Sequence, residues 1–147
     1  PDYGLWLKPG DSRPPITAAT RVELGTCDLA KRIGMGRALE IMTSVGLDRI
    51  KAHVRRLVDD LYHEVEQWPG VKIVTPTEPE CAYGLLALRF DGYDEPKLRN
   101  LIARLMKELI VVKFQPELTA MRISIASFNN ADEVSRLLDT LKHLIFS

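Results

Sequence analysis

The stretch from Asp48 to about Trp68 constrains the fold most, because its apolar residues recur at the three-to-four-residue spacing of an amphipathic helix. One stripe of this helix consists of Ile50, Val54, Leu57, Val58, Leu61, Tyr62 and Val65. Charged residues occupy most of the other side, and Pro69-Gly70 ends the helix. So long a stripe must be covered by other apolar elements, so the sequence predicts a packed core around this helix.

The remaining elements supply that cover. The patterns predict helices over Asp28–Ser44, Glu95–Glu108 and Ala131–Phe146, and strands over Val71–Val74, Leu85–Phe90, Ile110–Phe114 and Ala120–Ala126. Asn130 and Glu133 have the spacing of a capping box at the start of the last helix. Two long helices followed by β-β-α-β-β-α predict an α/β chain of the α+β kind. Its sheet should be small, mostly antiparallel or mixed, with helices on one face.

The charge balance and the cysteines exclude several classes of function. Twenty Lys and Arg balance twenty Asp and Glu, so no excess of positive charge indicates binding to nucleic acid or to an anionic membrane. No apolar run approaches the length of a membrane span. Cys27 and Cys81 form no disulfide framework and are interpreted as reduced thiols of a cytoplasmic protein. No metal is expected, because the histidines (His53, His63 and His143) have no companion at metal-ligand spacing and are interpreted as surface residues.

Arg122 is the first candidate binding residue and lies in the predicted strand MRISIAS. In a strand, Met121 and Ile123 point to one side while Arg122 and Ser124 point to the other. A strand guanidinium flanked by small residues is suited to bind a carboxylate through two parallel hydrogen bonds. The alternative, which the pattern alone favours, is an arginine on a solvated sheet face paired with an acidic side chain.

Gly25 and Thr26 form the second candidate site, just before the first predicted helix. Glycine lets the backbone approach a ligand closely, and the threonine hydroxyl lies near a helix N-terminus, where phosphate groups bind. The alternative, which spacing alone favours, is an ordinary helix-start turn with Thr26 or Asp28 as the N-cap.

Three stretches together resemble the C-terminal part of the class V aminotransferases, a branch of the fold-type I pyridoxal-phosphate enzymes. That family also includes isopenicillin-N-epimerase-like proteins and cysteine desulfurases. The stretches are RVELGTCDLAKRIGMGRALEIM, VGLDRIKAHVRRLVDDLYHEV and MRISIASFNNADEVSRLLDTL, in the family's order and spacing. The third contains the family's arginine strand, its Asn and its acidic helix start. The resemblance extends from about Arg21 to the end of the chain.

The resemblance implies a role for each candidate residue. Gly25 and Thr26 match the pair that contacts the phosphate of pyridoxal 5'-phosphate in the neighbouring subunit of a homodimer. Arg122 matches the arginine that binds the α-carboxylate of an amino-acid substrate. The resemblance therefore favours anion binding over the ordinary interpretation at both sites, and it predicts a class V aminotransferase-like enzyme.

The resemblance also implies that other parts of such an enzyme lie elsewhere. The family's Schiff-base lysine belongs to a large domain upstream, and Lys8 lies too close to Thr26 to match it. We therefore expect residues 1–20 to be an extended linker from that large domain, and residues 21–147 to be the C-terminal small domain with an interface helix. No catalytic residue is assigned to this chain, and we expect these 147 residues alone to be inactive.

Alternatives remain open at this stage. Within the family, the reaction can be epimerisation or a lyase reaction rather than transamination. Cysteine desulfurases place a catalytic Cys shortly before the arginine strand, and residues 109–120 contain none, so the sequence argues against persulfide chemistry. Outside enzymes, the chain can be a stand-alone α/β interaction module.

Overall fold

The computed structural model describes residues 28–76, 78 and 83–146. The chain divides between Ile41 and Met42 into two compact units. The described part of the first unit is helical, and the sheet belongs entirely to the second unit. Gly25 and Thr26 lie outside the described residues, as do Cys27 and Cys81 and the predicted boundary at residue 21.

The first helix, α1, spans Leu29–Val45 and is followed directly by Gly46. Of the two N-caps considered for it, Asp28 caps the helix, because Asp28 Oδ1 accepts hydrogen bonds from the backbone N–H groups of Ala30 at 3.1 Å and Lys31 at 3.3 Å. Apolar residues are spread around this helix, and none of its side chains is buried.

The second helix, α2, spans Leu47–Val65 and has the predicted apolar stripe. Its buried residues are Val54, Leu57, Val58, Leu61 and Val65. Leu57, Leu61 and Val65 form one core cluster with buried side chains of two later helices, α3 (Glu95–Lys107) and α4 (Ala131–Phe146), and of the sheet. Burial of this apolar area is the main term that stabilises the unit.

In the described part of the chain, the sheet has four antiparallel strands in the order β1-β2-β4-β3. The strands are β1 (Val71–Ile73), β2 (Leu85–Phe90), β3 (Lys113–Gln115) and β4 (Ala120–Ser124). Alternate residues of the inner strands, including Leu86 and Leu88 of β2 and Met121 and Ile123 of β4, join the core with α2, α3 and α4. The predicted fold class is confirmed: the chain is α+β, with helices on one face of a small antiparallel sheet.

The prediction of a strand over Ile110–Phe114 was wrong at its start. Leu109 has a φ of 59°, and the N–H of Ile110 donates to the carbonyl of Leu105 in the last turn of α3. This C-terminal turn engages the backbone that would otherwise begin a strand. Pairing with β4 therefore starts only at Lys113.

The predicted capping box of α4 is confirmed. Asn130 Oδ1 accepts from the N–H of Glu133 at 2.9 Å, and Glu133 Oε2 accepts from the N–H of Asn130 at 3.0 Å. Within the described ranges, none of the helices is long and apolar enough to cross a membrane.

Candidate functional site

Arg122 lies at the middle of β4, an inner strand with hydrogen-bonded neighbours on both sides. In the register of the sheet it faces Ala87 of β2 and Lys113 of β3. Met121 and Ile123 point into the core, so the side chain of Arg122 points from the opposite face. We call this second face the arginine face. The predicted alternation along this strand is therefore confirmed.

The residue Arg122 is half-buried, but its Nε atom is buried and has no hydrogen-bond partner among the described residues. No acidic side chain of the described ranges forms a salt bridge with it. The interpretation as an acid-paired arginine thus finds no support in this part of the chain. A buried donor without an acceptor costs about 1–3 kcal/mol, and a bound carboxylate would offset that cost.

The arginine face is rich in positive charge. In addition to Arg122, it carries Lys113 of β3, Arg89 of β2 and Lys72 of β1. Lys113 is the register partner of Arg122. Arg89 lies two residues along β2 from Ala87, the other register partner of Arg122, and Lys72 is the register partner of Arg89. Lys72 Nζ lies 3.7 Å from Asp91 Oδ1. The other three cations have no carboxylate partner among the described residues. The arrangement is suited to bind an anion.

The loop that follows β4 is fixed to two other elements. The N–H of Ile125 donates to the carbonyl of Gly84 at 2.6 Å, and the N–H of Ala126 donates to Asn129 Oδ1 at 2.8 Å. Asn129 Nδ2 donates in turn to Glu133 Oε2 at 3.0 Å. These bonds hold the chain rigidly from the end of the arginine strand into α4.

His53 of α2 also holds this loop, and the interpretation of this histidine as a surface residue was wrong. The ring is half-buried, and its Nε2 lies 2.8 Å from the carbonyl oxygen of Asn129. A carbonyl can only accept, so Nε2 carries the proton in this contact. Arg56 Nη2 approaches His53 Nδ1 at 3.4 Å. His63, by contrast, is exposed as predicted.

Of the three predicted site residues, the structure describes only Arg122. Arg122 is in place on the sheet, while Gly25 and Thr26 lie outside the described residues. Sequence patterns did not indicate His53, because its partner Asn129 is 76 residues away. They did not indicate Lys113 either, since its position beside Arg122 depends on the register of two strands.

Comparison with known proteins identifies a family. The family model of aminotransferase class-V matches residues 16–137 of this chain. The chain is 28% identical over 121 residues to isopenicillin N epimerase of Streptomyces clavuligerus. It is 22% identical over 136 residues to a probable cysteine desulfurase of Methanothermobacter thermautotrophicus. These matches cover 82% and 84% of this chain but only 30% and 34% of the relatives, so the chain spans about a third of their length.

Solved structures share the fold. The apo structure of a cysteine desulfurase from Thermococcus onnurineus aligns with a TM-score of 0.74 and 20% identity, over 86% of this chain and 34% of that chain. The cystine C-S lyase C-DES aligns with a TM-score of 0.70 and 19% identity, over 83% and 31%. One structure of C-DES contains glycine covalently linked to its pyridoxal-phosphate cofactor. The match of the family model over most of the chain shows that the chain belongs to the aminotransferase class-V family, whose cofactor is pyridoxal phosphate.

Proposed function

We propose that the complete protein is a pyridoxal-phosphate-dependent enzyme acting on an amino acid, and that Arg122 binds the α-carboxylate of the substrate. The observation that carries this proposal is the buried Nε of Arg122, which has no acceptor among the described residues. The family membership supplies the cofactor. A carboxylate supplies the acceptor that the guanidinium lacks, and the planar fork of arginine matches its geometry.

The strand that carries Arg122 explains how the guanidinium can position a substrate. Ladders to β2 and β3 fix the backbone of β4 on both sides. A carboxylate held by two parallel hydrogen bonds has a fixed orientation, so the α-carbon attached to it is oriented as well. Pyridoxal phosphate, when bound, supplies the electron sink for breaking a bond at that carbon.

Transamination is the reaction that we propose first. Epimerisation is the second candidate, because the chain is similar to isopenicillin N epimerase over 121 residues. The similarity to probable cysteine desulfurases favours that chemistry less, since residues 109–120 contain no cysteine. The products separate the three: transamination converts the substrate to a keto acid, epimerisation inverts its α-carbon, and desulfuration releases sulfur.

The proposal extends to the cofactor phosphate. Gly25 and Thr26 precede α1 directly, and we propose that they bind the phosphate held by the partner subunit of a homodimer. Dimerisation would then complete the site. No described residue is assigned to the cofactor, and the cytoplasmic location stays a prediction from the sequence.

The test of this function is Arg122→Lys in the complete, cofactor-loaded enzyme. The substitution keeps the charge but removes the planar fork, so we expect kcat/KM for the amino-acid substrate to fall about 100-fold, the loss of a bidentate charged contact. Arg104→Lys, the same change at an exposed position of α3, is the matched control and should leave kcat/KM unchanged. Equal kinetics of both variants would remove Arg122 from the site.

A further inference from the structure

Lys113 lies directly beside Arg122 on the arginine face. The two residues are register partners of the antiparallel strands β3 and β4. Side chains of such partners leave the sheet on the same side, with Cβ atoms about 4.5–5.5 Å apart. On the other side of Arg122, the register partner is Ala87, which has no charge. The cation directly opposite Arg122 therefore comes from the edge strand β3, while Arg89 lies two residues along β2 from Ala87.

This pair of cations has no acidic partner within the described ranges. Lys113 is exposed, and neither it nor Arg122 forms a salt bridge to a described carboxylate. Like charges directly opposite each other destabilise a sheet, and an anion bound between Lys113 and Arg122 would offset that repulsion. Lys72, on the opposite edge strand of the same face, does have such a partner in Asp91.

The two cations differ in what they can bind. One carboxylate bound through both oxygens accepts two parallel hydrogen bonds from the fork of Arg122. Lys113 adds a compact ammonium on a flexible stem, which reaches a second anionic group without a fixed geometry. A ligand with two carboxylates, a few carbons apart, therefore fits this pair better than a ligand with one.

We propose that Lys113 binds a second carboxylate, in the side chain of the substrate, and that the enzyme acts on a dicarboxylic amino acid. This inference rests on the proposed function, in which Arg122 holds the α-carboxylate. It makes Lys113 the residue that determines specificity for an acidic side chain.

The kinetic test compares each acidic amino acid with its amide, aspartate with asparagine and glutamate with glutamine, in the complete enzyme. In Lys113→Gln we expect kcat/KM for the better acidic substrate to fall about 10- to 100-fold, as expected for loss of one charged hydrogen bond, with kcat/KM for its amide unchanged. Lys107→Gln makes the same change at an exposed position in the last turn of α3 and should affect neither substrate. An equal loss for acid and amide, or no loss at all, would overturn the assignment.

Binding measured without turnover gives a second readout. Succinate and succinamate differ only in that one carboxylate is replaced by an amide, so calorimetry on the complete enzyme isolates the second anionic group. We expect succinate to bind the wild type about 10- to 100-fold more tightly, and Lys113→Gln to remove this difference. Equal affinities in the wild type would contradict the proposal.

The two proposals fail in different ways. If Arg122→Lys leaves all kinetics unchanged, the proposed function fails, whatever Lys113 does. If Arg122→Lys impairs both the acid and its amide while Lys113→Gln impairs neither, the carboxylate function of Arg122 stands and only the specificity for an acidic side chain is wrong.

Discussion

At the start of α4, Glu133 accepts hydrogen bonds from two neighbouring residues through one oxygen. The side chain of Asn129 and the backbone N–H of Asn130 both donate to Glu133 Oε2. These bonds, that of Asn129 first, hold the pKa of Glu133 below its ordinary value of 4.5. The side chain of Asn129 also accepts from the N–H of Ala126 in the loop after β4. Protonation of Glu133 at low pH therefore weakens a hydrogen bond to the residue that holds this loop.

Because the pKa of Glu133 is lower in the folded state, its contribution to stability is fully present above about pH 4.5 and is lost as the pH falls through the folded value. Glu133→Gln should therefore be less stable than the wild type at pH 7, with a gap that narrows below about pH 4.5. Urea unfolding from pH 3 to 7 measures this. Asp132→Asn, in the same turn but outside these hydrogen bonds, is the control, and a gap for Glu133→Gln that is constant with pH would contradict the explanation.

The contacts of single residues could be predicted from the sequence where the two partners are close together along the chain. Asn130 and Glu133 are three positions apart, and their capping box followed from that spacing. The orientation of Arg122 followed from strand alternation. The contact of His53 with Asn129 was not predictable, because only the packing of α2 against the loop brings the two residues together.

Among the elements, β2 follows a residue, Gly84, whose position close to the backbone of Ile125 leaves no room for a side chain. Gly84 has a φ of 69°, and a Cβ at this position would lie 2.6 Å from the carbonyl oxygen of Ile125, just after the arginine strand. The contact ties the beginning of β2 to the end of β4. It therefore contributes to the position of the strand that carries Arg122.

Gly84→Ala should destabilise the protein by more than Gly92→Ala does. Both glycines have a positive φ, of 69° and 74°, so both substitutions incur a backbone cost of about 1–2 kcal/mol. Only Gly84 has backbone atoms in the way, and relieving that overlap should cost about 1–3 kcal/mol more. Urea unfolding of the two variants measures the difference, and equal values would show that the contact with Ile125 adjusts freely.

The bounds of the helices and strands show which parts of the secondary structure the sequence patterns predicted correctly and which they did not. The starts of the four helices were predicted to within one residue, whereas α2 ends at Val65, three residues before the predicted end at Trp68. The apolar run before β3 was interpreted as strand, whereas the chain there closes the last turn of α3 through Ile110. The left-handed residue that follows a helix is usually glycine, which can be recognised in a sequence. Here that residue is Leu109, so the sequence did not indicate the turn.

For the sheet unit as a whole, stability comes from one apolar core between the sheet and three helices. Leu88 of β2 is fully buried at its centre, whereas Leu85 of the same strand is 45% exposed on the arginine face. Leu88→Ala should lower the free energy of unfolding by about 2–5 kcal/mol. Leu85→Ala removes the same atoms from a partly exposed site and should cost markedly less in the same urea titration. Equal losses would contradict the assigned faces of β2.

For the whole molecule, the number of strands and the packing of helices on one face of the sheet were predictable. The apolar stripe of a helix and the apolar face of a strand must each be buried against another element. The strand order was not, since the sequence alone does not specify which short strands pair. The register between β3 and β4 depends on that order, and with it the position of Lys113 beside Arg122.

The order of the strands has a consequence for how such an enzyme can evolve. Among the described residues, the strand β4 pairs on both sides, whereas β3 is an edge strand of three residues that pairs with β4 alone. In the proposed enzyme, Arg122 on the interior strand β4 binds the α-carboxylate that all amino acids share. Lys113 on the edge strand β3 binds the side chain, which differs between amino acids. Mutations in β3 can therefore change the accepted side chain and leave the ladder between β2 and β4 intact. Substrate choice can drift over generations while the anchor for every amino acid stays where it is.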